Sequence, residues 1–481
     1  TGPGFVQTAI VAMSMSATYY RPMNRPTEVL PINHELLSPG IADLWFVPLG
    51  GCGEIGSNLN LYGHDGQWLI VDCGIGFDRE PGAEAVITPD PGFISARRES
   101  LVGMVITHAH EDHVGAVAYL WAELQCPVYC TSFTAVILRR KLAEAGLLSK
   151  VPLHVLPTGA SHRLGCFDLR WIGITHSTPE AQCLLIETSA GRVLHTGDWK
   201  WDADPQVGPS YDEETFRSLA ALKLDALVGD STCATVEGRS PSEGDVVAGI
   251  NQVVSDAKGR VVATCFGSNI ARMQTLARAA ADSGRYLALF GRSLVNNYQA
   301  ALETGFWDRD LTFIDPTHIG YLPPEEVMII ATGSQGDARA ALTRIAAGNH
   351  PDLELEAGDT VVFSSRDIPG NELAIERVRQ ALVSKDVKIV EQTEHGPLIH
   401  TSGHPGRDDL KDMYEWVAPR IAIPVHGEPH HLAAHASLAA DCGVPQQLLG
   451  RNGDLFVLAP QPGVLPGAVA VGRRTIRQSG S

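Results

Sequence analysis

The sequence predicts an α/β protein in which a strand-rich domain is interrupted by an inserted domain with a parallel sheet and helices on its faces. Three changes of style along the chain predict it. Residues 44–229 alternate short β-rich runs with turns and few helices, residues from about 242 alternate helices and strands regularly, and beyond about 387 the chain returns to strands and loops rich in His. The interruption is about 150 residues long, an ordinary domain size. The boundaries that follow are a leader over 1–41, the first part of the outer domain over 42–235, the insert over 236–386, the second part over 387–459 and a flexible Pro/Gly-rich tail over 460–481.

In the outer domain, apolar and β-branched runs bounded by turn residues give strands at 44–49, 68–71, 101–106, 167–174, 183–187, 192–194 and 226–228. Longer patterns at 115–124 and 133–145 have the spacing of helices. In the insert, helices are expected at 243–257, 269–283, 339–347 and 372–383, and strands at 260–264, 286–290, 327–331 and 360–363. Repeated strand-helix units require crossovers and therefore parallel pairing.

Bulk properties narrow the class. With 481 residues and 44% apolar content the chain is globular, no segment has the unbroken apolar length of a bilayer span, and the first twenty residues lack a basic stretch before their apolar part. A soluble cytoplasmic protein with no membrane partner is expected. Nine cysteines, an odd number with no Cys-x-x-Cys, fit reduced thiols. Metal ligands would then have to be His and Asp. A formal charge of −18 argues against broad attraction to nucleic acid, yet bound cations and a local arginine funnel are compatible with an acidic exterior. Residues 1–23 are assigned no function.

The chemistry is concentrated in Thr107-His108-Ala109-His110-Glu111-Asp112-His113-Val114-Gly115, three imidazoles and a carboxylate within six positions after an apolar run. Such a cluster beyond a strand's carboxyl end is costly to leave without a metal, and its ligand types suit zinc, with room to face two ions. Asp72, His176, Asp198 and Asp230 also stand where apolar runs stop. Alone, each reads equally well as a cap or turn residue. Four strands delivering ionisable residues at one end are hard to explain as packing.

Asp72, then His108/His110/Asp112/His113, then His176 and Asp198 resemble the metallo-β-lactamase superfamily, whose fold is an αββα sandwich. Asp230 in Gly-Asp-Ser-Thr, His404 in Thr-Ser-Gly-His and His426 in Ile-Pro-Val-His-Gly-Glu resemble the acidic motif A and the His motifs B and C of its β-CASP branch, with the inserted domain between them. Gly50-Gly-Cys-Gly-Glu-Ile-Gly56, Ala331-Thr-Gly-Ser-Gln-Gly336, Phe363-Ser-Ser365 and Ile368-Pro-Gly-Asn-Glu372 are most similar to the bacterial ribonuclease J family, over roughly 44–458.

That resemblance implies a zinc-dependent ribonuclease that hydrolyses RNA phosphodiesters with a water activated between two Zn²⁺ ions, Mn²⁺ being a possible substitute. It implies that His108, His110 and His176 hold one ion, Asp112, His113 and His426 the other, and Asp198 bridges them. Asp72 and Asp230 would orient imidazoles, and His404 would contact the scissile phosphate or protonate the leaving 3′-oxygen. Ser334, Gln335, Gly336, Ser364, Ser365, Gly403 and His404 would form a phosphate pocket, although as isolated sequence these loops read as tight turns. Two departures stand out: Pro405-Gly406 replaces the more usual Ala-Ser, and Arg366-Asp367 replaces a small Ser-Pro-like pair, so that Arg366 either adds to phosphate binding or pairs with Asp367. Relatives also carry a small C-terminal domain supporting dimerisation, so contacts that rely on it are not assumed here, and a homodimer through the metal domain is left open.

The expected partner is single-stranded RNA, entered from a 5′-monophosphate end or cut internally. His at motif C supports RNA, because DNA-processing members tend to carry an apolar residue there. The alternative is a lactone or carboxylic-ester hydrolase, since the same dinuclear chemistry attacks a carbonyl. A scaffold with a dead site is disfavoured by the complete ligand set.

Overall fold

A computed structural model describes residues 37–77, 86–368 and 370–476. Most of the leader and residues 477–481 of the tail therefore lie outside the described residues. Two sheets form the outer domain. One runs Gly463–Leu465, Leu455–Ala459, Leu44–Gly50, Leu59–His64, Gln67–Val71, Leu101–Val105, Val128–Cys130, Leu153–Val155. The other runs Gln446–Gln447, Ile421–Val425, Ala226–Asp230, Arg192–His195, Gln182–Glu187, Phe167–Gly173, Ser161–Leu164.

Their inner faces interlock. Phe46, Tyr62, Leu69 and Val105 of the first sheet share one core with Trp171, Leu184, Val193 and Ile423 of the second, as alternation along strands requires. On the outer face of the second sheet, Phe216, Met413, Trp416 and Leu438 bring the helices Glu213–Ser218, Arg407–Val417 and Pro429–Asp441 onto Ile172, Leu194 and Leu227. With the helices Val117–Leu124 and Ser132–Glu144 after the first sheet's strands, this is the expected helix-sheet-sheet-helix sandwich.

The insert is a five-stranded parallel sheet in the order Tyr286–Phe290, Val327–Ala331, Val261–Thr264, Thr360–Phe363, Lys388–Glu391. Its two faces have separate cores. Ile270, Met273 and Leu276 cover one with the helix Ile270–Asp282, whereas Leu342, Ile345, Ile375 and Val378 cover the other with Ala341–Ala346 and Glu372–Val383. Neighbouring strands thus send their following helices to opposite faces. The topological switch falls at Val261–Thr264, and the carboxyl end of such a strand is where open α/β sheets bind ligands.

Several expectations are corrected. The insert does not end at 386, because Lys388–Glu391 pairs with Thr360–Phe363 as the sheet's edge, its half-buried polar ends resembling a returning loop. The tail over 460–481 is not a flexible tail where described. Gly463–Leu465 pairs with Leu455–Ala459, Arg473–Thr475 pairs with Val86–Pro89, and Arg474 binds Asp90 at 2.8 Å, so Pro and Gly here serve turns between strands. The helix expected at 115–124 starts at Val117, and a separate short helix, Glu111–Val114, precedes it. Leu59–His64 and the helix Arg292–Thr304 were not anticipated, Asn, Gly and His in the one and Asn296-Asn297 in the other reading as turn formers. Among the described residues no helix is long and apolar enough to cross a membrane.

Candidate metal centre

Parallel strand direction gathers the site. Gln67–Val71 runs parallel to Leu101–Val105, and Arg192–His195, Ala226–Asp230 and Ile421–Val425 run parallel to one another. Their carboxyl ends therefore deliver Asp72, the 108–113 loop, Asp198, Asp230 and His426 to one edge. Phe167–Gly173, antiparallel to its neighbour Gln182–Glu187, adds His176 at that edge. Two of these residues are in the left-handed region, Asp72 at φ 66° and His426 at φ 51°. Strain of this kind persists where surrounding bonds over-determine the backbone.

Those bonds also fix the imidazole tautomers. The Thr107 hydroxyl donates to Asp72, 2.9 Å from Oδ2, so it accepts from His108 Nδ1 at 2.9 Å. His113 Nδ1 donates to Asp72 Oδ2 at 2.7 Å, and His176 Nδ1 donates to Gly403 O at 2.6 Å. The Thr232 hydroxyl donates to His426 O at 3.0 Å and accepts from His426 Nδ1 at 2.9 Å. In all four rings the Nε2 lone pair is left facing the site. Gly403 is required for this approach, since a Cβ there would stand 2.9 Å from His176 Cε1.

Two four-residue groups match the implied ligand sets, His108/His110/His176/Asp198 and Asp112/His113/Asp198/His426, and a third, Asp198/Asp230/His404/His426, overlaps them, the ligand atoms of each lying within 4.8 Å of one another. The donor set fits metal ions. His110 Nδ1 lies 3.2 Å from His108 Nε2 and 3.0 Å from His176 Nε2, so a proton on it can serve only one of those two lone pairs at a time, whereas an electropositive centre serves both. Asp198, shared by both groups, has a buried Oδ1 with no hydrogen-bond partner. Geometry and ligand type thus agree with a dinuclear zinc site.

Electrostatics divides the two halves. Burial, then the neighbouring imidazoles, hold His108 well below the ordinary imidazole range. Burial likewise lowers His176, with His110 next, and brings His110 to about 4 against Asp112 and Asp198. These rings are neutral ligands. Burial also acts downward on His113 and His426, but Asp198, Asp112 and Asp72 outweigh it at His113, and Asp198, Asp112 and Asp230 raise His426 to about 10. The second group is therefore a strongly negative pocket that attracts cations.

His404 stands beside both groups, its ring 5.2 Å from His176 and 5.7 Å from His426, with Nδ1 bonded to Asp230 Oδ2 at 2.7 Å. The insert's loops are placed differently. Gln335 Nε2 donates to Arg366 O and its Oε1 accepts from Ile368 N, so this side chain braces the neighbouring loop. Gly336, at φ 74°, abuts the backbone of Ala374. Ser364 Oγ is engaged with Ile399 O at 2.6 Å and Arg272 Nη1 at 2.7 Å. Ser334 and Ser365 are buried, and Ser365 Oγ has no partner.

Sequence reasoning missed Asn58, whose Nδ2 lies 3.1 Å from His113 Nε2 and donates to Asp112 O, although it stands two residues after the glycine-rich run 50–56. It also missed Thr107, Thr232 and a buried chain from Ser231 Oγ through His435 to Tyr414 OH, with contacts of 2.8 and 2.7 Å. Thr107 and Thr232 stand within the quoted motifs, where no role was given to them. Nothing in the sequence points to Tyr414. Because Asp72 fixes both Thr107 and His113, Asp72→Asn is expected to weaken metal binding by about 10–100-fold. Competition with a chromophoric chelator measures this, and unchanged affinity would refute the orienting role.

Comparison with known proteins agrees with this geometry. Residues 52–227 match the metallo-beta-lactamase superfamily, 258–382 the ribonuclease J beta-CASP domain, and 396–446 the Zn-dependent metallo-hydrolase RNA specificity domain. Ribonuclease J of Sinorhizobium meliloti is 43% identical over 426 residues, covering 87% of this chain and 75% of that protein. Ribonuclease J of Mycobacterium tuberculosis is 38% identical, covering 88% and 76%, and that of Synechocystis is 34% identical, covering 91% and 69%. A crystal structure of a protein of unknown function from Enterococcus faecalis has the same fold, with a TM-score of 0.60 at 16% identity over 86% of this chain and 100% of that one. With its ligand groups complete and its insert in place, the chain belongs to the ribonuclease J family of metallo-β-lactamase and β-CASP proteins.

Proposed function

We propose that this chain is a zinc-dependent ribonuclease that hydrolyses phosphodiester bonds of single-stranded RNA in the cytoplasm. The observation that carries the reading is the convergence of two four-ligand groups with the Asp230-bound His404 at the edge facing the insert. When bound, two zinc ions supply charge for phosphate oxygens and bring the pKa of water toward neutrality.

The chain's own residues do the rest. Asp72, through Thr107 and directly, holds His108 and His113 in the tautomer that presents Nε2. Asp230 holds the Nδ1 proton of His404, and its charge keeps that ring's affinity for protons above the usual imidazole range against the effect of burial. His404 Nε2 is thereby available to carry a proton to the leaving 3′-oxygen.

Purified protein supplied with zinc or manganese is expected to degrade 5′-monophosphorylated RNA, to stop on chelation and to recover when zinc is restored. Comparison of 5′-hydroxyl, monophosphate and triphosphate RNAs reads the end preference. If RNA stays intact while lactones or simple esters are opened at enzymatic rates, an acyl hydrolase replaces this reading.

A further inference from the structure

The helix Ser132–Glu144 belongs to the outer domain by sequence, yet one of its faces is built into the insert's core. Phe133, Val136 and Ile137 share that core with Ile270, Met273 and Leu294. The Phe133 ring meets Phe306 edge-on, with centroids 6.4 Å apart, and Arg140 Nη1 donates to Asn296 O in the helix Arg292–Thr304. Ala109 lies in the same core at 6% exposure. It stands between His108 and His110, so the backbone that aims these two ligands is seated against the insert.

The start of the same helix holds the third histidine. Its N-cap residue, Thr131, makes no side-chain cap bond. Glu180 supplies one from a distant segment, its Oε2 accepting from Ser132 Oγ and Phe133 N, both at 2.7 Å. A carboxylate in that place is favoured by the free amides and the dipole of the helix. Glu180 is itself in the left-handed region at φ 56°, four residues after His176, and Gln182 Nε2 donates to its carbonyl at 3.0 Å. His108, His110 and His176 are therefore referred to one helix whose position the insert fixes. Asp112, His113 and His426 are held within the outer domain instead. Asn58 N donates to Asp112 O at 3.0 Å, His113 Nδ1 to Asp72 at 2.7 Å, and His426 N to Gly51 O at 2.6 Å. Lys141 does reach Glu111, beside Asp112, at 2.6 Å, but with the Glu111 side chain 53% exposed such a pair has little weight.

We propose that the helix Ser132–Glu144 couples docking of the insert to the three-histidine group, so that the insert sets the affinity of that group for its ion and leaves the other group unaffected. Ala109 and Glu180 are the positioning residues through which it acts. This rests on the zinc site of the reading above and not on the choice of substrate. Coupling of this kind is reciprocal. An ion held by the three histidines should in turn tighten the insert against the helix.

The test measures zinc affinity of the full chain, by competition with a chromophoric chelator, in two backgrounds. Asp112→Ala leaves only the three-histidine group complete, and His110→Ala leaves only the other. Phe306→Ala takes a ring of the insert away from Phe133 and touches no ligand. It is expected to weaken zinc binding about tenfold in the Asp112→Ala background, the scale set by partners outside the ligands, and by less than about twofold in the His110→Ala background. Glu180→Ala, which leaves the insert intact, should repeat that pattern. Glu180→Gln, which keeps an acceptor for Ser132 and Phe133, should recover part of the loss. Hydrogen exchange reads the reciprocal effect: zinc should slow exchange of Arg292–Thr304 in the Asp112→Ala protein and not in the His110→Ala protein. Equal losses in both backgrounds would show general destabilisation and overturn the proposal, as would unchanged affinity in both with circular dichroism as in wild type. Wild type that fails to bind two zinc ions overturns the dinuclear site instead.

Discussion

RNA cleavage by His110→Ala or Asp198→Ala is expected to fall by at least about 10³-fold while the fold survives. His110 supplies the nitrogen that meets both His108 and His176, and Asp198 is the carboxylate common to both ligand groups. Loss of either opens the coordination of one ion or both. Roughly 4 kcal/mol of transition-state stabilisation attributed to paired metals corresponds to that factor. Single-turnover cleavage of end-labelled RNA measures it, with circular dichroism and metal analysis of the same samples. Cleavage within tenfold of wild type in either variant would end the dinuclear account.

The second large effect is on stability. Glu243 and Arg272 form an ion pair at 3.0 Å with both side chains 1% exposed. Arg272 also donates to Ser364 O, Ser364 Oγ and Ile399 O, and Asn269 Nδ2 donates to Glu243 Oε1. One guanidinium therefore ties the chain entering the insert, a helix, a strand end and the chain leaving it. Arg272→Met is expected to cost about 3–5 kcal/mol, because it leaves a carboxylate buried without its partner. Glu243→Leu together with Arg272→Met should recover a substantial part of that, since the stranded charge is gone. Urea unfolding of the three proteins tests this, and a double variant no more stable than Arg272→Met would show that the hydrogen bonds to Ser364 and Ile399 dominate.

The legible part of this protein is the part in which chemistry restricts residue type. Imidazoles and carboxylates placed after apolar runs marked Asp72, residues 108–113, His176, Asp198 and Asp230, because a strand must stop before its next side chain can turn toward an ion, whereas His426 and the division into two ligand groups came from the family resemblance. The inner part of the insert was legible for a different reason: Val327–Ala331, Val261–Thr264 and Thr360–Phe363 are mostly apolar runs buried along their whole length. What was not legible depends on distant partners. Leu59–His64 is buried in full, yet Asn60, Gly63 and His64 make it read as a loop until its neighbouring strands are in place. His64, for example, is bonded to Asp43 O and Ser189 Oγ. Ser364 resembles a ligand donor in its motif, but Arg272, 92 positions away, engages its hydroxyl. Tautomers were equally hidden, since the acceptor for His176 is a carbonyl 227 positions downstream.

The strand Leu44–Gly50 sits between Leu59–His64 and Leu455–Ala459, and Asp112 meets His426 across 314 positions of sequence. For the chain emerging from the ribosome, this order sets a timetable. At typical synthesis rates the second ligand group stays open for roughly 15–60 s after Asp112 appears. During that interval Leu44–Gly50 presents an unpaired edge, a template for wrong pairing, while the insert, built from nearer neighbours, closes first. The stretch made after the insert therefore completes the metal cage with His426 and then seals the sandwich with Leu455–Ala459.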